Sequence, residues 1–353
     1  MFFLLLLSAW IPSLPNSAIV RDVLANAADY GIQLLQDVEL EGMFSVRKYS
    51  NWGLLRIANK MPTITSTNYI YPTDAGKDVY IYIIDLYVPH DQSLRSEGKF
   101  VRFVDYTKKG FDKTNYRAAE IASIISHPVH GVASHSNVIL NKVGYAGISN
   151  SEFATHLKKA LADIIGNVTE RQQRAVINMG LNCNALSQFD RIKVELLVQK
   201  AISNGIVVVK SAGNTNSDAC DVSISNITEV ITVGAIDSQN YLLHINETVG
   251  SNYGRCIDLN GPGSQLRHNK KELGVGTAYA AAHITGIVAI YLSFGVHFND
   301  IKSTIIESGT HGIIRVTDKA EATPNIVAYN MPISHQLWDR IDPHFQAFLK
   351  FVG

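Results

Sequence analysis

The chain has 353 residues, 46% of them hydrophobic and 18% charged, with 31 basic side chains balanced by 31 acidic ones. That length is enough for a large buried core in one α/β domain with appendages, and for an enzyme. The balanced charge gives no bulk attraction for nucleic acid or an anionic membrane, so neither is expected as a partner.

Residues 1–18, MFFLLLLSAWIPSLPNSA, form an apolar run of signal-peptide length ending in the small residues Ser17 and Ala18. A secreted or luminal protein is expected; an uncleaved anchor or a buried arm is the alternative. No other stretch reaches the ~18 to 20 apolar residues that a bilayer span needs, so the mature chain should carry no transmembrane segment. The sequons at Asn167, Asn226 and Asn246 suit that route as glycosylation candidates. Residues 19–50 carry a weak helical pattern (Val23, Leu24, Ala27, Ile32, Leu34, Leu35) and read as the short remnant of a pro-region or as an N-terminal arm. From residue 79 the pattern changes to near-continuous apolar runs rich in β-branched residues, at 79–85, 138–143, 175–179, 206–211 and 230–236. Such runs suit central parallel strands covered on both faces. Helical stretches are expected at 115–125, 151–165, 191–203 and 277–293. Strand and helix alternating in this way predict an α/β fold, a doubly wound and mostly parallel sheet with helices on both faces. The tail, 331–353, places Leu337, Trp338, Ile341, Phe345, Phe348, Leu349 and Val352 at helical spacing, with Asp342-Pro343 suited to a cap and first turn.

In open parallel sheets the chemistry sits beyond the carboxyl ends of the strands. Asp85 closes the first run, SAGN (211–214) closes another, and GVGTAYAAAHITG (274–286) makes a glycine turn that feeds an apolar helix. On residue type alone Asp85 is equally a cap or loop charge, and Asn214 a turn residue. Together with NWGLLRI (51–57), GVA (131–133), SNYG (251–254), DLNGPG (258–263) and TPNIVAYN (323–330), these segments resemble the subtilisin-like serine proteases of peptidase family S8, in their proteinase K-like branch. The resemblance covers about residues 51–330. It implies a three-layer α/β sandwich, a triad of Asp, His and Ser, and an asparagine that donates to the oxyanion.

Carried over residue by residue, Asp85 is the triad acid and Asn214 the oxyanion asparagine. The serine position holds Ala278. Counting back without gaps from Gly131 puts Arg117 at the histidine position and Glu120 at the motif's second histidine. His127 and His130 read as surface or loop histidines. The turn after Asp85 also departs from the family, since Tyr87 stands where a glycine is usual. The cleft walls of the family correspond to Ile148, Ser149 and Asn150 on one side and Gly180, Leu181, Asn182 and Cys183 on the other, which places a thiol in the cleft. The resemblance further implies a Cys220–Cys256 disulfide with Cys183 free; cysteine arithmetic alone allows any one bridge. No cofactor is expected. The one metal implied is a structural calcium on Asp258 with main-chain carbonyls near Ser223, although one acid makes a poor calcium site and Asp258 also reads as a solvent-exposed residue after a strand. The expected function is that of a secreted protease homologue without peptidase activity, binding a peptide or protein partner such as an active paralogue or an inhibitor. A divergent secreted endopeptidase is the alternative, and a surface or structural component the third.

Overall fold

The strand Val79–Asp85 (β1) shows why the apolar runs become a sheet. Ile81 and Ile83 point into one core and Tyr82 and Ile84 into another, because side chains alternate across a pleated strand. A run that is apolar at every position therefore has partners only when both faces are covered. The computed structural model describes residues 44–48, 50–89, 101–112, 115–268, 271–316 and 320–331. The expected signal segment, most of the arm and the tail after residue 331 lie outside the described residues.

Eight further strands complete the sheet: β2 (Val101–Asp105), β3 (Asn137–Lys142), β4 (Arg174–Met179), β5 (Ile206–Ser211), β6 (Ile231–Ile236), β7 (Leu259–Pro262), β8 (Thr310–His311) and β9 (Ile326–Val327). Their order is β8-β9-β7-β6-β5-β4-β1-β3-β2, parallel throughout except for the β8–β9 pair. β1 stands where the chain's progress across the sheet reverses, with β3 and β2 on one side and β4 to β7 on the other.

Six helices are described: α1 (Trp52–Ile57), α2 (Arg117–Ser126), α3 (Asn150–Arg171), α4 (Gln188–Ser203), α5 (Thr277–Ser293) and α6 (Ile301–Glu307). α2 and α5 cover one face, with α1 beside them, and α3 and α4 cover the other. α5 is buried all round from Thr277 to Leu292, which explains its lack of a polar stripe. α3 runs beyond the expected 151–165 because its last turns are polar and half exposed; Gln172 ends it in the left-handed region at φ 50°. Asn51, Ser149 and Ser187 cap α1, α3 and α4 through side-chain oxygens.

The arm departs from its expected helix where it is described. Phe44–Arg47 is a strand, paired antiparallel with Tyr69–Pro72. Arg47 fixes this hairpin to the body, lying 4.0 Å from the Tyr71 ring centroid and donating to the Gly131 carbonyl.

Candidate active site

Asp85 is the last residue of β1 and is fully buried, level in register with Lys142 of β3. A buried carboxylate needs partners for both oxygens. Arg117, the first residue of α2, supplies them: its Nε donates to Oδ2 at 3.1 Å and its Nη2 to Oδ1 at 2.6 Å. This is the two-pronged geometry that a planar guanidinium makes with a carboxylate. Burial works against the charge on Arg117, but the Asp85 carboxylate overrides it and holds the guanidinium above its ordinary pKa. The neighbouring Lys142 ammonium turns elsewhere, to Asp112 at 2.9 Å and the Gly110 carbonyl at 2.7 Å.

The turn after Asp85 carries no left-handed backbone at Tyr87. Instead the Tyr87 N–H donates to Asp85 Oδ1 at 3.3 Å, a local side-chain turn. Tyr87 therefore replaces the family's glycine without backbone strain, because this turn does not require positive φ.

Gly276 starts α5 with φ 134°, where a Cβ would meet Asn214 Oδ1 at 2.8 Å. That close approach lets Asn214 Oδ1 accept from the Thr277 N–H at 2.8 Å and from its hydroxyl at 3.1 Å. The SAGN loop is braced in turn by Asn252 of the SNYG segment, which donates to the Ala212 carbonyl and accepts from the Thr215 N–H. With its oxygen occupied, exposed Asn214 has its amide NH₂ left for a ligand. Ala278 follows in the first turn of α5, nearly buried, and its N–H has no hydrogen-bond partner among the described residues. A Cβ on Gly180 would lie 3.3 Å from that of Ala278, so the end of β4 and the start of α5 meet here.

Glu120 ties this region to Arg117's helix. Its Oε2 accepts from the Tyr279 hydroxyl at 2.7 Å and from the Gly274 N–H at 3.3 Å. Burial, and then Glu120, raise the Tyr279 hydroxyl's pKa well above its ordinary value. Motif register alone places Glu120 without giving it a role, and it does not mark Tyr279. The available signal was spacing: Arg117 and Glu120 are three apart and so share one face of α2.

Several cleft residues stand elsewhere than expected. Cys183 is fully buried in the core beneath α3 and α4, and burial pushes its thiol up to about 11. Leu181 packs into the same core. Gly180 is half-buried and Asn182 exposed, while the Leu181 and Cys183 side chains turn inward. On the other side Ile148 packs against the same core, Ser149 caps α3, and Asn150 opens that helix. His127 and His130 stack on one another at the end of α2, and the His127 ring nitrogen accepts from the Val129 N–H at 3.1 Å.

The disulfide joins Cys220 to Cys256, and Cys183 is free. Asn167 lies within α3, donating to the Asp163 carbonyl, whereas Asn226 and Asn246 are exposed. Asp258 departs from the expectation of an exposed residue or a calcium ligand. It is largely buried, one oxygen bonded to the Lys302 ammonium at 2.8 Å and the other accepting from the Thr232 N–H at 2.8 Å. Burial raises its carboxyl above the usual range, and Lys302 pulls it only partway back. A carboxylate occupied in this way does not fit a calcium ion. No cluster of three or more metal-ligating side chains occurs among the described residues, and no described helix is long and apolar enough to cross a membrane.

The subtilase family model of peptidase S8 matches residues 112–325. The subtilase-type proteinase RRT12 of Saccharomyces cerevisiae is 30% identical over 279 residues, which is 74% of this chain and 54% of that protein. The alkaline proteinase of Hapsidospora chrysogena is 30% identical over 310 residues, 84% of this chain and 72% of that one. This chain therefore spans about half of the yeast relative's length and nearly three quarters of the other's. The crystal structure of a cold adapted subtilisin-like serine proteinase superposes with a TM-score of 0.62 at 23% identity, covering 80% of this chain and 99% of that one, which establishes the shared fold. The matched family model, the two relatives and the nine-stranded sheet with helices on both faces lead to one assignment: this chain belongs to the subtilase family.

Proposed function

We propose that this protein is a secreted subtilase homologue that has lost peptide hydrolysis and uses the inherited cleft to bind a peptide or protein partner. The observation that carries the reading is Arg117, tied through two hydrogen bonds to Asp85 while Ala278 occupies the start of α5. In this reading Arg117 stands for the general base and Ala278 for the nucleophile. A guanidinium stays protonated and cannot take a proton from an attacking group. An alanine methyl has no oxygen to attack with. What remains is binding chemistry: the Asn214 amide and the Ala278 N–H are two donors for a carbonyl oxygen, which polarise a peptide bond but deliver nothing to it. In subtilisin, a member of this family whose measured values serve as the benchmark, losing the serine or the histidine lowers kcat by about 10⁶, roughly 8 kcal/mol. The apolar run at 1–18 and the disulfide support passage through an oxidising, secretory route.

The competing reading is an active endopeptidase with a divergent site, favoured by relatives that are named proteinases. Fluorophosphonate labelling and fluorogenic peptide digestion of the purified mature chain separate the two. No label and no turnover are expected. A labelled serine, or cleavage abolished by a serine-directed inhibitor, would sink the proposal. In the inactive case, Arg117→His with Ala278→Ser tests whether the cleft still presents a peptide productively, since any restored turnover needs the substrate in place.

A further inference from the structure

Outside the cleft, Lys302 in the first turn of α6 sends its ammonium into a cage of oxygens. It donates to the Val230 carbonyl at 2.8 Å, to Asp258 Oδ1 at 2.8 Å and to the Thr228 carbonyl. An ammonium has three N–H donors and no acceptor, so each proton has its own oxygen and the set is complete. The oxygens come from the entries to two neighbouring parallel strands, Thr228 and Val230 ahead of β6 and Asp258 ahead of β7. The site is well covered, with the Asp258 side chain 18% exposed and that of Lys302 25%.

One carboxylate and two main-chain carbonyls are hard oxygen donors of the kind that hold calcium, with water completing the shell. Here the positive charge is already present and covalently attached. A divalent ion entering beside Lys302 would meet like charge and find the carboxylate taken.

We propose that Lys302 is a tethered cation standing in for a bound metal, locking the entries of β6 and β7 without calcium, and that removing its charge uncovers a calcium site formed by Thr228, Val230 and Asp258. Stabilisation by a bound ion follows mass action and varies with its concentration. Stabilisation by a lysine of the chain itself does not.

The test is thermal unfolding of the full mature chain in EDTA and in excess calcium chloride. For the unaltered protein the two curves should coincide. Lys302→Met keeps most of the aliphatic stem while removing the charge, and in EDTA it should lower Tm by roughly 5 °C. Calcium should return most of that loss saturably, and the response should vanish in Lys302→Met with Asp258→Asn. A Lys302→Met protein whose calcium response is no larger than that of the unaltered chain overturns the proposal. Should that variant not fold, calcium titration of the unaltered chain against Asp258→Asn decides. Calcium binding that is lost with Asp258 overturns the proposal, and binding that is absent or unchanged supports it.

Discussion

At Asp85 a fully buried carboxylate is made tolerable by one guanidinium, so the two residues should be energetically coupled. Removing Arg117 alone strands a charge whose Oδ2 has no other hydrogen bond among the described residues, whereas removing both charges leaves only a neutral amide to satisfy. Losing one member of a buried pair costs about 3 to 5 kcal/mol; with the Arg117 side chain 29% exposed, the lower part of that range or below applies. Arg117→Ala should therefore cost about 2 kcal/mol or more in urea unfolding, and Arg117→Ala with Asp85→Asn should be the more stable of the two proteins. A double variant less stable than the single one would refute the coupling. This pair was legible in the sequence, because a retained acid at a strand end and an arginine opening the next helix were both placed by motif register. The Lys302 cage was not. Its carbonyls carry no side-chain signature, and the lysine sits in a helix far along the chain from Asp258.

At the scale of elements, α5 is buried because it has been stripped of bulk where neighbours approach. A Cβ on Gly286 would lie 2.5 Å from Val132 Cβ, and Val132, just beyond α2, belongs to the same core. Replacing a mid-helix glycine by alanine normally stabilises by about 1 kcal/mol. Here the neighbour is a β-branched core residue with little room to yield, and overpacking of that kind costs about 1 to 3 kcal/mol. The steric term wins, so Gly286→Ala should lower Tm; a variant of raised Tm would show that α2 and α5 can separate at little cost. The five central strands, β1 and β3 to β6, match their expected limits almost to the residue because apolar runs closed on both sides leave little freedom there, whereas the sequence does not announce β2, β7, β8 and β9, which lie towards the sheet's edges. The outer helices were read short, since α3 and α4 begin or end in polar turns that only their caps reveal. The inward turn of Cys183 escaped notice for another reason. Beyond a strand end, side-chain direction follows the local turn, and sequence spacing no longer fixes it.

The whole molecule's stability should depend on pH through His283, deep in the packing between α5 and α1. Its Nδ1 lies 2.9 Å from the Tyr279 carbonyl, which can only accept, so Nδ1 carries the proton and Nε2 faces the backbone at Gly53. Burial drives the imidazole pKa down to about 4 from its ordinary 6.5, with the Tyr279 bond opposing weakly. Between those values the unfolded chain binds a proton that the folded chain excludes. Stability must then rise with pH across that window and be lost as pH falls from about 6.5 towards 4. The full difference is about 3 kcal/mol at 1.36 kcal/mol per pKa unit. Asp258 works the other way, since burial raises its carboxyl and the fold keeps a proton there that the unfolded chain has released. Comparing unaltered protein with His283→Asn cancels that contribution, because Asp258 is common to both. Asparagine keeps a donor for the Tyr279 carbonyl and removes the titration. The variant should be less stable at neutral pH, where it leaves a small cavity, yet show a flatter loss between pH 6.5 and 4. Urea unfolding at a series of pH values reads that slope, and equal slopes for the two proteins would mean that His283 takes up its proton without opening the core.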